Sequence, residues 1–333
     1  MFSNNRSQDA YLRGYNDMAK AEIARMSLFR ADAQTGVFAQ HLVMTTLAEV
    51  FRHENEKLKF VNDGLISWDT SVPAGALQVG WQELLHTDGP DDGIVADDAE
   101  DIGAIELQGE FHVNRAVTLA KSFKYSVQDV ETAQVQGSWS MVAEKSEACR
   151  DGHDRDVNNL VRNGSADGSI PGLYRYPGIL VEPAITGNWA AATAAQIEAD
   201  FNAAVTGQRL ATAGVEEADT ALFPIVAWQR IKTLRSSTAT DITVLEFLKR
   251  NNPEITRWEF ENGLVGKADT GSVTGDSCLI YRNSPSVVRG VMPLRLVPMP
   301  PQERGLVVKV IMRSRYAGLI VPKPRAIVRL DGI

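Results

Sequence analysis

From Val61 to Glu110 the chain carries twelve acidic residues and no lysine or arginine, and two runs within or just past that stretch alternate apolar and polar residues. Leu77, Val79, Trp81 and Leu85 alternate with Gln78, Gly80 and Gln82. Ile105, Leu107, Phe111 and Val113 alternate with Glu106, Gln108, Glu110 and His112. An extended chain points successive side chains to opposite sides, so each run predicts a strand with one wet face. The link between them, about His86 to Asp101, is rich in Asp and Gly and too long for a two-residue turn. The pair therefore predicts a long hairpin whose tip carries Asp88, Asp91, Asp92, Asp97, Asp98 and Asp101. Leu77, Val79, Trp81, Leu107 and Phe111 are expected to form its apolar face. A lone subunit would leave that face bare as a large patch, which monomers avoid.

The far end of the chain has the opposite charge. From Ser277 to Ile333 there are ten basic and two acidic residues. Charge opposition between separate segments sets register and rejects wrong partners. The acidic link is thus expected to approach basic residues of another copy, with Arg304, Lys309, Arg313 and Arg315 foremost. Arg289, Arg295, Lys323, Arg325 and Arg329 are the other candidates. Over the whole chain, 34 basic residues against 42 acidic give −8. This balance suits no dedicated nucleic-acid sheath. Weak, sequence-independent contact with DNA is the expectation, helped by Arg6, Arg13, Lys20 and Arg25 near the N-terminus.

The rest of the chain reads as alternating helices and strands. Residues 36 to 58 place Phe38, Leu42, Val43, Leu47, Val50 and Phe51 at helical spacing. Ser126 and Asp129 mark a helix start. Ser138 to Gly164 predicts one long amphipathic helix, burying Trp139, Val142, Cys149, His153, Val157 and Leu160. A further helix buries Ile197, Phe201 and Val205. Thr243 and Glu246 form a capping box for a short helix that Asn252-Pro253 ends. Residues 256–263 and 277–284 predict strands, as does the alternation of Leu306, Val308, Val310 and Met312. The longest wholly apolar run, Ala221 to Trp228, is too short to span a bilayer. The N-terminus lacks an apolar signal core, so a cytoplasmic protein is expected.

Motifs for chemistry fail one by one. The run Gly263 to Lys267 has neither the spacing nor the Ser/Thr of a phosphate loop. Lys57 stands where a zinc motif beginning at His53 needs a second histidine. His41, His86, His112 and His153 show no ligand spacing, and His153 reads as a packing histidine. Cys149 and Cys278 form no metal or disulfide pattern and read as buried thiols. The acidic link does not match a calcium-binding loop. No catalytic residue, cofactor or metal is expected.

The order of arm, helix, acidic hairpin, long helix, α/β body and returning basic strands resembles the major capsid proteins of tailed phages, with their HK-ninety-seven-type fold. The likeness covers about residues 36 to 333. It is carried by the run Arg162 to Ile179 at the end of the long helix, by the run Thr243 to Ile255, and by Cys278 to Ile333. It implies an α+β fold: N-terminal arm 1–35, peripheral-domain helix 36–65, extended loop 66–124, peripheral domain with spine helix 125–173, axial domain 174–302 and returning peripheral strands 303–333. It implies a non-enzymatic shell protein that assembles with itself as pentamers and hexamers into an icosahedral capsid around double-stranded DNA. Scaffold, portal and decoration proteins are further partners it suggests, with no membrane, and the virion, built in the host cytoplasm, is the implied location. An encapsulin-like compartment around cargo enzyme is the alternative within the same fold. Some relatives crosslink lysine to asparagine. The expected extended loop has no lysine between Val61 and Glu110, which argues against that chemistry here.

Overall fold

The computed structural model describes residues 56–87, 106–135, 141–237, 241–268 and 275–333. The arm, nearly all of the helix expected over 36–58, and the link residues Asp88, Asp91, Asp92, Asp97, Asp98 and Asp101 lie outside them. So do Ser138 and Trp139.

A five-stranded mixed sheet organises the body. Its order is β5 (Leu180–Pro183), β14 (Ile327–Asp331), β8 (Ser277–Tyr281), β6 (Thr220–Phe223) and β7 (Arg257–Phe260). Alternate residues of the inner strands face two cores. Cys278, Ile280, Val328, Leu330, Ala221 and Phe223 join Ile197, Phe201, Ile231, Leu248 and Trp258 in the first core. That core is covered by helices α4 (Ala194–Ala211), α5 (Ile225–Thr233) and α6 (Val244–Asn251). Leu279, Tyr281, Leu222 and Ile327 join the second core with Phe60, Val157, Val161 and Tyr174. Phe60 comes from the short helix α1 (Lys59–Asn62), and Val157 and Val161 from α3 (Met141–Asn163). A strand buried on both faces reads as a continuous apolar run, as Cys278 to Tyr281 does.

At 23 residues, α3 is the longest helix among those described. It buries Cys149, His153, Val157 and Val161, as its spacing predicts. Before it comes α2 (Val127–Val135), at whose start Asp129 accepts from the Ser126 amide at 3.2 Å. Thr243 accepts from the Glu246 amide at the start of α6. The run Ala221 to Trp228 divides at Pro224: a buried strand, then helix α5.

The sheets divide the chain differently from the domain boundaries that the resemblance implies. The ten-residue strand β4 (Val117–Ser126), expected within the extended loop, pairs along its whole length with β12 (Val307–Tyr316). With β10 (Leu294–Pro298) and β11 (Gln302–Arg304) on the other side of β12, it forms a four-stranded sheet against α3. The last strand, β14, lies inside the five-stranded sheet rather than beside β12. The reason is local: Ile327 to Asp331 are buried on both faces, while β12 is buried on one. A third, small sheet joins β1 (Ser67–Asp69), β9 (Arg289–Val291) and β13 (Leu319–Ile320).

Buried charges fasten the sheet edges. The Arg329 guanidinium donates to both carboxylate oxygens of Asp331, at 2.7 and 2.8 Å, and to the Tyr174 carbonyl at 2.7 Å. Glu216 accepts from Arg282 at 2.6 Å and also from Lys323. Burial raises the Glu216 carboxyl pKa, but the hydrogen bonds and charges of Lys323 and Arg282 outweigh that and hold it below the usual range. A carboxylate depressed by folding adds stability above its unfolded pKa and loses it as pH falls through the folded value. Urea unfolding of Glu216→Gln against the parent chain should therefore show a deficit at neutral pH that narrows as pH falls below about 4.3, the ordinary glutamate value.

The spine helix ends at Gly164, whose φ is +78° and where a Cβ would sit 2.3 Å from the Ile170 carbonyl oxygen. Gly168 shares the left-handed backbone, at φ +74°, but faces open space. Gly168→Ala should therefore cost about 1–2 kcal/mol, the penalty of that backbone for an L-residue. Gly164→Ala should cost clearly more, because it adds a backbone clash, and the two unfolding midpoints measure the difference.

Candidate subunit interface

The hairpin forms as expected: β2 (Gln78–Thr87) pairs antiparallel with β3 (Glu106–Arg115) over ten residues a strand. Residues directly opposite in such a ladder share a face. The register pairs Val79 with Asn114, Trp81 with His112, Gln82 with Phe111 and Gly80 with Val113. The expected single apolar face is therefore two. Val79 and Trp81 lie on one side, Leu107 and Phe111 on the other. Alternation within each strand was legible; register was not, because a long link leaves free which parity of one strand meets which of the other.

The two faces differ in role. On the inner one, Val79 is buried against Val291, Ala317 and Ile320 of the body. Trp81 stacks on His112 with ring centroids 5.2 Å apart, and Asn114 donates to the Leu319 carbonyl at 2.8 Å. These contacts root the hairpin on its own subunit. Leu77, just ahead of the ladder, is 69% exposed despite sharing the parity of Val79. On the outer face, Leu84, Leu107 and Phe111 are 63–65% exposed and Val113 is 47% exposed. The Phe111 ring lies over Gly80, where a side chain would sit 2.5 Å from it. From Glu106 to Phe111 every residue of β3 is exposed, on both faces. Among the described residues, Glu106 to Phe111 thus stand clear of the subunit's body.

The basic candidates separate as well. Arg329 is buried on Asp331, Lys323 is held by Glu216, and Arg289 lies 3.8 Å from Asp69. None of the three is a free surface cation, and for Arg329 an inter-subunit role is excluded by burial alone. Arg295 and Arg325 are exposed, but neither lies on the face described next. On the four-stranded sheet, Val310, Met312, Ser314 and Tyr316 turn inward and are buried. Lys309, Arg313 and Arg315 turn outward. The register puts Lys124 opposite Lys309, and Arg304 opposite Val307 on that same outer side. Lys124 was missed in the sequence, because only the β4–β12 pairing brings it there. Arg315 donates to the carbonyls of Ala74 and Ala76 at 3.0 and 3.2 Å. Lys124, Arg304, Lys309 and Arg313 make no ion pair among the described residues.

One buried cluster has the composition of a nucleophilic triad. His153 of α3 contacts the Ser314 hydroxyl through Nε2 at 2.5 Å and Asp154 through Nδ1 at 3.0 Å. Ser314 is fully buried, so its hydroxyl has no route to a substrate. The cluster instead ties the spine helix to β12, which is the packing role its spacing suggested. The Cys278 thiol pKa is pushed well up by burial; that of Cys149 is raised by burial against a smaller opposing effect of the Lys121 charge. Both thiols are free and buried, and such thiols make poor nucleophiles.

Comparison with known proteins bears on this arrangement. The chain is similar to a structure titled "The capsid of Myoviridae Phage XM1", at 20% identity and TM-score 0.75, over 88% of this chain and 98% of that one. It is also similar to structures titled "Mycobacterium phage Bobi" and "Gordonia phage Cozz". The first has 13% identity and TM-score 0.61, over 90% of this chain and 97% of that one. The second has 13% identity and TM-score 0.57, over 89% and 93%. At such identities these likenesses establish the fold, the α+β HK-ninety-seven-type architecture. No curated protein sequence matches the chain. The family model described as Major capsid protein matches residues 91–333, which takes in β3, the spine helix, both large sheets and the basic outer face, and favours a viral shell over a cargo compartment. The chain belongs to the major capsid protein family.

Proposed function

We propose that the chain closes into an icosahedral shell of pentamers and hexamers that encloses double-stranded DNA in a tailed phage. The observation that carries this is that Glu106 to Phe111 of β3 are exposed on both faces of the hairpin, whose outer face bears Leu84, Leu107, Phe111 and Val113. Burying these four side chains against a neighbour would supply roughly 1.5–3 kcal/mol each before the cost of ordering. The hairpin is rooted by Val79, Trp81 and Asn114, so it reaches the neighbour at a set angle. Assembly in the host cytoplasm, with scaffold, portal or decoration proteins as helpers, belongs to the same reading. Contact with packaged DNA is weak and blind to sequence, as the net charge of −8 favours.

Sedimentation and negative-stain imaging of the purified chain, with and without candidate scaffold, test the proposal. Closed particles of uniform size are expected. A well-folded monomer under every condition would sink it. Phe111→Asp combined with Leu107→Asp should abolish particles while leaving the unfolding midpoint of the dissociated subunit nearly unchanged. Surface substitutions away from packed groups stay within about 0.5 kcal/mol. Val79→Asp should instead lower that midpoint, since Val79 belongs to the subunit's own packing.

A further inference from the structure

A cavity of about 250 Å³ lies where α1, β1, the spine helix and β10 meet. Its walls are largely apolar: the Trp68 indole, with Val61, Val157, Met292 and Leu296. Trp68 is set in place from two sides. Its Nε1 donates to the Phe60 carbonyl at 3.0 Å. Its ring lies over Gly290, its partner in the β1–β9 ladder, where a Cβ would sit 2.8 Å away. The polar part of the lining is equally fixed. His153 is buried, with Nε2 on the Ser314 hydroxyl and Nδ1 on Asp154, so its ring is held from both ends.

The strand β10 is irregular at this cavity. Leu294 pairs with Arg315 and Val297 with Arg313, so Arg295 and Leu296 together oppose Ser314 alone. This is a β-bulge, an extra residue that re-aims side chains and recurs next to active sites. In a regular strand, neighbouring side chains point to opposite faces. Here Arg295 and Leu296 both line the cavity. The bulge thus brings a cation to an apolar pocket. Arg295 is exposed and makes no ion pair among the described residues.

We propose that this cavity binds a small aromatic acid, its ring against Trp68, Met292 and Leu296 and its anionic group on Arg295. An indole face and a thioether favour a flat ring. The guanidinium, a planar fork of donors, suits a carboxylate. Asp154 lines the cavity from the helix side and disfavours an anion there, which sets the acid group at the Arg295 end. The volume falls just below the roughly 300–1,000 Å³ of drug-sized sites, so the ligand is small, of one or two fused rings. Bound there, it touches the spine helix, the end of β1 and β10 at once and ties them together. The site is distinct from the hairpin's outer face, and the proposal stands apart from the shell reading.

Calorimetric titration of the purified chain with 2-naphthoate, and with its neutral isostere 2-naphthamide, tests this. The parent should bind 2-naphthoate about tenfold more tightly than the amide. Arg295→Gln should lose that preference: naphthoate binding weakens about tenfold and amide binding stays as it was. Thr70→Trp, which fills the cavity from an exposed position on its rim, should remove binding of both. Naphthoate should also raise the unfolding midpoint of the parent and leave that of Thr70→Trp unmoved, since a ligand of the folded state stabilises it. Phe111→Asp combined with Leu107→Asp should bind as the parent does. Loss of binding in that variant would place the probe on the hairpin and overturn the proposal. So would a folded parent that binds neither probe, or naphthoate binding that Arg295→Gln or Thr70→Trp leaves unchanged.

Discussion

The fold depends on burying β14 from both sides. Ile327, Val328 and Leu330 pack against helices on one face of the sheet or the spine helix on the other, and neither core is complete without the last residues of the chain. The same strand carries Arg329 and Asp331, both removed from water. Burying such charges costs several kcal/mol each unless the geometry is good. Here the pair is bidentate. Ser277 donates to Asp331 at 2.9 Å and the Tyr174 carbonyl takes a further guanidinium hydrogen. The pair therefore discriminates more than it stabilises: a shifted register would leave one charge unpaired in the core. A strand that fits in one register locks the two cores to a single geometry.

Much of this architecture was legible in the chain, and the parts that were not share a cause. Helical spacing gave the spine helix, and Thr243 with Glu246 gave the start of α6, because those signals act within a few residues. Alternation found β2, β3 and β12 for the same reason. Pairings between distant strands were not legible. The resemblance placed β4 with the extended loop and β14 with the returning strands, and neither pairing leaves a local trace in the sequence. The split of the hairpin's apolar residues onto two faces is the sharpest instance. Nothing within either strand states whether Phe111 lies beside Trp81 or behind it. Of the nine basic residues expected at an interface, Arg329 could be removed only once its burial was known, and Lys124 could be added only once β4 was paired.

The charges of this chain are divided by function as well as by sign. Those that hold the subunit together are buried or partly buried and satisfied: Arg329 with Asp331, Arg162 with Glu261, and Glu216 with Lys323 and Arg282. Lys124, Arg304, Lys309 and Arg313, which make no ion pair among the described residues, share one sheet face, while the sequence from Asp88 to Asp101 carries seven acidic residues and no basic one. A subunit that satisfied all its charges internally would fold as well and have no preference among neighbours.

That division suits an object built from many copies. Each exposed ion pair contributes about 0.2–1 kcal/mol, and the apolar strip on the hairpin contributes several kcal/mol less the cost of ordering. A single contact of this size forms and dissolves readily, so a wrongly placed subunit can leave. The apolar strip supplies adhesion with little regard to register, because apolar burial is non-directional. In the proposed shell, opposed charges between copies would supply the register, because a displaced copy would bring like charges together. Adhesion without register would trap misplaced subunits, and register without adhesion would hold none. The hairpin's root is fixed to its own body by Val79, and its outer face offers Phe111 and Leu107. In the proposed shell each subunit that binds would present the same root and flank to the next, and rings close where the rotation between copies permits it.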